Sequence, residues 1–307
     1  MYRFITIIES RYNLASLTSC YYEKLLFDTV DMEKPDTSME EEATVLGNHF
    51  RTLTLAEQAK LRMQDSRGLL SQFHQDKLEK EAAKNWDKFY KRNETRFFKD
   101  RHWTTREFQE IAGDGLGKRT LLEVGCGVGN FLYPLIEDQL NLFVYACDFS
   151  ARAVEFVKEH PLYCEDKVKA FVSDITKDDL LSQVGEAVDI VSMIFVLSAI
   201  HPSKFNDTIQ NIYRCLVPGG IVLVRDYGIY DMAMLRFGPG SKLADRLYVR
   251  QDGTRSYYFT EGELRELFES AGFEVASNSY VTRQTVNKKE GIDAQRIFIQ
   301  AKFVKPS

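Results

Sequence analysis

Residues 123–130 read Glu123-Val-Gly125-Cys-Gly127-Val-Gly129-Asn130, three glycines at alternate positions directly after the β-type run TLLEV. Glycines at a strand-to-helix turn let the backbone approach a ligand closely, with the amino terminus of the following helix facing it. Asp148 closes the next β-type run, LFVYACD, 23 residues after Gly125. A carboxylate placed there can accept hydrogen bonds from both hydroxyls of a ribose. A third run ends in Ser173-Asp174-Ile175. One strand-end Asp is commonplace and often caps a helix. Two of them, following a glycine turn in the right order, point to a nucleoside site. A dinucleotide fingerprint would need glycine at position 130, and Asn130 stands there. Met193-Ile194-Phe195, in a fourth run, is expected to floor the ligand crevice, a part an ordinary core strand can also play.

These residues need a scaffold of strands alternating with helices. The runs TLLEV, LFVYACD, VKAFVSD, VDIVSMIFVL and GIVLVRD read as five strands, with helices starting near Gly129, Ser150, Asp178 and Ser203. That alternation means βαβ units and a mainly parallel sheet. FEVASNSYV and RIFIQAKFV, separated by NKKEGIDAQ, are predicted to pair as an antiparallel hairpin after a helix in TEGELRELFESAG. Upstream, Thr54 with Glu57 spells a capping box, and Phe73, Leu78, Ala82, Trp86, Phe89 and Tyr90 recur at helical spacing. GDGLGK, from Gly113 to Lys118, is a breaker-rich joint between the two regions.

The chain has 307 residues, 44% of them hydrophobic, enough for a substantial core and against wholesale disorder. No run approaches the roughly 18 apolar residues of a membrane span. Lys and Arg number 40 against 45 Asp and Glu, a net charge of −5 that argues against a general nucleic-acid coat. Local counting qualifies that total. Residues 84–106 hold eight Lys and Arg (84, 88, 91, 92, 96, 99, 101, 106) against three acids, with Trp86, Phe89, Tyr90, Phe97, Phe98 and Trp103 between them. Cations neutralise phosphates and aromatic planes stack on unpaired bases, so the segment suits single-stranded RNA. It equally suits a helix whose rings are core and whose cations are solvated. Trp86 and Tyr90, four apart on one face, are candidates to close over the cofactor. More basic residues follow the fifth strand (Arg225, Arg236, Lys242, Arg246, Arg250, Arg255), and six lie after Val281 against two acids.

Five scattered cysteines without a C-x-x-C indicate neither disulfides nor a zinc site, and a reducing compartment is expected. The first residues lack a signal peptide's apolar centre. Residues 31–42 carry six acids against one Lys, so residues 1–50 are expected to be a poorly ordered extension with an acidic linker. Residues 51–112 are then a helical, RNA-facing segment and cofactor lid, and residues 113–307 the catalytic domain.

The E-x-G-x-G-x-G turn resembles motif I of class I S-adenosylmethionine (SAM) dependent methyltransferases, whose doubly wound α/β, Rossmann-like sheet is likewise five parallel strands closed by a hairpin. NWDKFYKRNETRFFKDRHW, LLEVGCGVGN, YACDFS, FVLSAIHP, RDYGIYDMAMLRF, YVRQDGTRSYYFT and VNKKEG resemble the eukaryotic tRNA 3-methylcytidine methyltransferases, from about Thr54 to the end, and most closely their serine-tRNA branch. The resemblance implies SAM contacts at Trp86, Tyr90, Gly125, Asp148, Asp174, Ile175 and Ile194, with the acid at 174 on the adenine amino group. It implies cytidine 32 of the anticodon loop as target, seryl-tRNA synthetase as partner, no metal, and a cytoplasmic or nuclear rather than mitochondrial location. Nitrogen 3 of cytosine has an in-plane lone pair and no proton, so orientation rather than a general base should dominate catalysis. Asp226, just after the fifth strand, is the candidate to contact the cytosine amino group or orient the base, and Arg101 the candidate for a phosphate or stacking contact. Two alternatives stay open: a methyltransferase of another RNA, a protein or a small molecule on the same fold, and a non-catalytic RNA-binding partner of a synthetase.

Overall fold

A computed structural model describes residues 51, 53–113, 117–287 and 292–307. The acidic linker, the middle of the GDGLGK joint and the VNKKEG segment fall wholly or partly outside them. The extension forms three helices, α1 (Leu55–Asp65), α2 (Gln72–Lys80) and α3 (Ala82–Asn93). The capping box is formed in full: Glu57 N donates to Thr54 Oγ1, while Thr54 N donates to Glu57. Phe73 departs from the expected buried stripe. It is 73% exposed on α2, whereas Phe89 and Tyr90 of α3 are buried.

Two short helical turns, α4 (Thr104–Glu107) and α5 (Gln109–Ala112), lead into the sheet. Then follow β1 (Arg119–Val124), α6 (Leu132–Glu137), β2 (Leu142–Asp148), α7 (Ala151–Glu159), β3 (Val168–Val172), α8 (Leu180–Val184) and β4 (Val188–Ile194). After two 3-10 turns come α9 (Phe205–Cys215) and β5 (Leu216–Tyr227). The sheet order is β3-β2-β1-β4-β5-β10-β9, with β9 (Glu274–Asn287) and β10 (Ile292–Val304) forming the antiparallel hairpin. All five expected parallel strands are present, β4 and β5 pairing with a register shift between Val188 and Ile190. The two hairpin strands run further into their connection than the sequence pattern indicated.

Alternation along the strands splits the core. Leu121 faces a cluster with α6, α7 and the rings of Trp103 and Phe108. Leu122 and Val124 face another with α8, α9 and α11 (Glu261–Ser270). Trp103, Phe108 and Ile111 thus belong to the catalytic domain's core, so its packing begins before residue 113.

The sequence reading missed a small sheet of three short strands, β6 (Lys242–Ala244), β7 (Leu247–Val249) and β8 (Arg255–Tyr257), preceded by α10 (Met232–Leu235). Folding gives several cations of the basic stretch expected there an internal partner. Arg255 is buried and paired with Glu79, Arg246 with Glu263, and Lys242 with Asp65. Arg225, at the end of β5, is buried over the Trp103 ring and paired with Glu107. Burying a cation is tolerable only with a partner, and these have one.

Candidate active site

Chain order reverses between β1 and β4, and both strands end at the resulting crevice. On the β1 side, Gly125, Gly127 and Gly129 have φ values of 62°, 55° and 91°. A Cβ at Gly125 would stand 2.7 Å from Val196 Cγ2, and one at Gly127 would stand 2.9 Å from Tyr90 Oη. The turn is therefore closed to larger residues by its dihedrals and by its neighbours alike. On the β4 side Phe195 adopts φ 61°, a rare conformation for a bulky residue and one that tends to occur at functional sites.

A cavity of about 360 Å3 opens here, lined by Trp86, Tyr90, Gly125, Asp148, Asp174 and Ile175 among others. A narrower crevice adjoins it, reaching Arg101, Ile194, Ser198, Tyr227 and Arg250. Trp86, Tyr90, Gly125, Phe195, Ala199 and Arg255 border both. All seven residues expected at the cofactor thus come together, six in the larger cavity and Ile194 in the narrower one. α3 supplies Trp86 and Tyr90, whose ring centroids are 5.9 Å apart, and it roofs both spaces.

Asp148 is buried; its carboxylate accepts from Gly127 N at 3.0 Å and Ser150 N at 2.9 Å. Burial pushes its pKa up to about 6, against the pull of those amides. Asp174 accepts from Thr176 Oγ1 at 2.7 Å and pairs with Lys177 at 3.1 Å. Burial works to raise it too, but the Thr176 and Lys177 bonds prevail and hold it below the ordinary carboxylate value. Glu123, the first residue of the glycine motif, has one carboxylate oxygen without a partner, and burial lifts its pKa to about 8. It holds its proton at neutral pH.

The fit to SAM rests on these observations. The glycine cradle admits no Cβ, two strand-end acids line a cavity within the usual size range for small ligands, and the buried Ser173 Oγ on its wall lacks a partner. Asp148 could hold the ribose and Asp174 and Ile175 the base, with the Gly125 turn open to close backbone approach. Among the described residues no group of three or more His, Cys, Asp or Glu side chains converges as a metal site would.

The two catalytic candidates have more restricted surroundings than their sequence positions suggest. Asp226 is fully buried, and its oxygens accept from Ser198 N at 3.0 Å and Tyr227 N at 2.8 Å. It borders neither cavity and instead fixes the 197–199 turn that does. Arg101 turns inward, its guanidinium 5.4 Å from the Phe195 ring centroid and 3.4 Å from Ile194 O. The basic aromatic segment divides the same way. Phe89, Tyr90 and Phe97 are buried with Val128 and Ala153, so most of the rings expected to stack on bases are spent joining α3 to the catalytic domain. Lys84, Lys88, Lys91, Arg92, Arg96, Lys99 and Arg106 stay exposed. Phe195 lines both spaces, as the reading of Met193-Ile194-Phe195 as a crevice floor expects, while Tyr227, Arg250 and Arg255 are site residues the sequence did not single out. The positive φ of Phe195 has no sequence signature, and the others reach the crevice only through the missed insertion and the end of β5.

Comparison with known proteins agrees with this architecture. A methyltransferase-domain family profile matches residues 77–278. The mouse and human proteins named tRNA N(3)-cytidine methyltransferase METTL6 are 58% and 57% identical over 265 and 264 residues, spanning 85% of this chain and 93% and 92% of theirs. The Schizosaccharomyces pombe tRNA N(3)-methylcytidine methyltransferase trm141 is 48% identical over 242 residues, 77% of this chain and 97% of its own. Among solved structures, a SAM-dependent methyltransferase from Anabaena variabilis aligns with a TM-score of 0.55 at 16% identity, over 73% of this chain and 95% of that one, a likeness of fold alone.

Proposed function

This chain belongs to the tRNA N(3)-cytidine methyltransferase family, and on that footing we propose that it methylates N3 of cytidine 32 in the anticodon loop of serine tRNAs, in the cytoplasm or nucleus and aided by seryl-tRNA synthetase. The observation that carries this reading is the pair of cavities sharing one wall at the strand ends. One has the lining of a nucleoside site, and the other meets it at Phe195 under a segment whose outer face is cationic. When bound, SAM supplies an electrophilic methyl group.

The chain's own residues then have to place cytosine N3 in line with that methyl. The lone pair is already free, so no side chain has to remove a proton, and that no carboxylate or imidazole is among the described residues lining the narrower crevice is no obstacle. Alignment of this kind is worth up to roughly 7–11 kcal/mol. The Watson–Crick edge must be unpaired, and a loop nucleotide meets that condition at little cost. Phe195 and Tyr227, with ring centroids 5.0 Å apart, give the crevice a stiff apolar wall, and Asp226 holds its 197–199 turn through backbone amides.

The test is incubation with methyl-labelled SAM and separate pools of serine tRNA, the same tRNA with cytidine 32 replaced by uridine, other tRNAs, protein and metabolites. Nucleoside mass spectrometry should find 3-methylcytidine in the first pool alone. Equal label in the uridine-32 tRNA would refute the position, and label only in protein or metabolites would refute the substrate.

A further inference from the structure

One cluster at the cavity rim is not among the residues assigned to the nucleoside. His201 and Lys204, on the loop after β4, converge with Arg255 of β8, and all three line the larger cavity. Arg255 borders the narrower crevice as well, and its side chain is only 6% exposed. The anion that the structure gives these cations comes from the extension. Glu79, in the last turn of α2, bridges Lys204 through one carboxylate oxygen and Arg255 through the other. The cluster stays electropositive even so. His201 is held below its ordinary pKa, first by burial and then by Arg255, with Glu79 and Lys204 opposing each other after that. Its Nδ1 accepts from Ser203 N, which leaves Nε2 to carry the proton as a donor.

A guanidinium, an ammonium and an imidazole N–H make a donor set matched to a tetrahedral oxyanion with several oxygens. A carboxylate satisfies it only in part. Resting on the reading of the chain as a tRNA methyltransferase, we propose that His201, Lys204 and Arg255 form a phosphodiester subsite for the RNA strand entering the crevice, and that Glu79 is a built-in surrogate anion which an RNA phosphate displaces. Two features favour RNA over the cofactor's carboxylate as the source of the anion. Arg255 sits where the two cavities meet, next to the crevice assigned to the target base. Lys204 and Glu79 are half-exposed, so the bridge can exchange with an incoming strand. Glu79 lies three residues before the first residue of α3, and displacement would also free the end of the helix pair that carries Trp86 and Tyr90.

The test measures binding of labelled serine tRNA to the full chain loaded with S-adenosylhomocysteine, by fluorescence anisotropy across a salt series. Glu79→Gln removes the competitor and keeps the side-chain shape. It should bind tRNA about 3- to 10-fold more tightly, with a salt slope steeper by about one, since phosphate then displaces counterions rather than a carboxylate. Lys204→Gln, at a half-exposed position that tolerates substitution, should bind tRNA several-fold more weakly with cofactor affinity unchanged. Glu79→Gln binding tRNA no better than wild type overturns the proposal. So does a Lys204→Gln defect confined to cofactor affinity, because the anion is then the cofactor's carboxylate. Methyl transfer by the wild type, assayed in parallel, keeps the two readings apart: a chain that forms 3-methylcytidine without a gain in Glu79→Gln refutes the subsite alone.

Discussion

Gly127→Ala should open the contact between the lid and the glycine turn, and its cost divides into two parts. The backbone at φ 55° is left-handed, and an L side chain there costs roughly 1–2 kcal/mol. The new methyl would lie 2.9 Å from Tyr90 Oη, closer than such atoms come, so something must move. Tyr90 cannot do so freely. It is buried, and Phe89 packs edge-on to it with centroids 5.3 Å apart, which makes overpacking here worth about 1–3 kcal/mol. The two parts sum to about 2–5 kcal/mol and should appear as loss of SAM affinity of at least tenfold, at about 1.4 kcal/mol per factor of ten. Tyr90→Phe deletes the clashing hydroxyl. In the Gly127→Ala background it should recover the steric part and leave the dihedral part. Titration calorimetry of wild type, both single variants and the double variant gives the coupling directly. Wild-type affinity in Gly127→Ala, or strict additivity of the two changes, would refute the claim that Tyr90 closes on the turn.

Asp148→Ala should weaken SAM binding by about 1–3 kcal/mol, through loss of the ribose acceptor and of the carboxylate that orders Gly127 N and Ser150 N; calorimetry returning wild-type affinity would remove Asp148 from the site. Glu123 is ionised when unfolded but protonated when folded, with its folded pKa raised to about 8, so its contribution is full below about 4.5 and is lost as pH rises through 8. Denaturant melts of the ligand-free protein should show Glu123→Gln losing less stability than wild type between pH 5 and 8, by up to about 1.4 kcal/mol per pH unit, and parallel curves would contradict that. Replacing exposed Lys88, Lys91 and Lys99 together by Gln should weaken binding of all tRNAs alike and reduce the salt slope by about 2–3, whereas an unchanged slope would mean that this face does not meet phosphate.

What could be read in the sequence follows from how local each signal is. Thr54 and Glu57 cap α1 through contacts three residues apart, and the five parallel strands show as apolar runs because both faces of the sheet are covered. Gly125, Asp148 and Asp174 meet in space because strand ends in this topology always do. The insertion escaped because β6, β7 and β8 have three residues each, too short for a period-2 pattern to register.

The basic aromatic segment was legible only in part, for a different reason. Helical spacing fixes which residues share a face but not which face meets the protein, and tertiary packing decides that. Phe73 and Phe89 share the periodicity, yet Phe73 is exposed and Phe89 is buried against Val128, because α2 and α3 are separate helices meeting at Glu81. Composition counted Arg225, Arg255 and Arg296 as cations for RNA, while folding spends them on Glu107, Glu79 and Asp231. Of those three internal pairs, Arg296–Asp231 is wholly inaccessible and Arg225–Glu107 is mostly buried, but Glu79, with its side chain 30% exposed, reaches Arg255 from the rim of the cofactor cavity. A buried arginine whose partner lies on a lid is the arrangement a displaceable anion requires, and only this pair has it among the three.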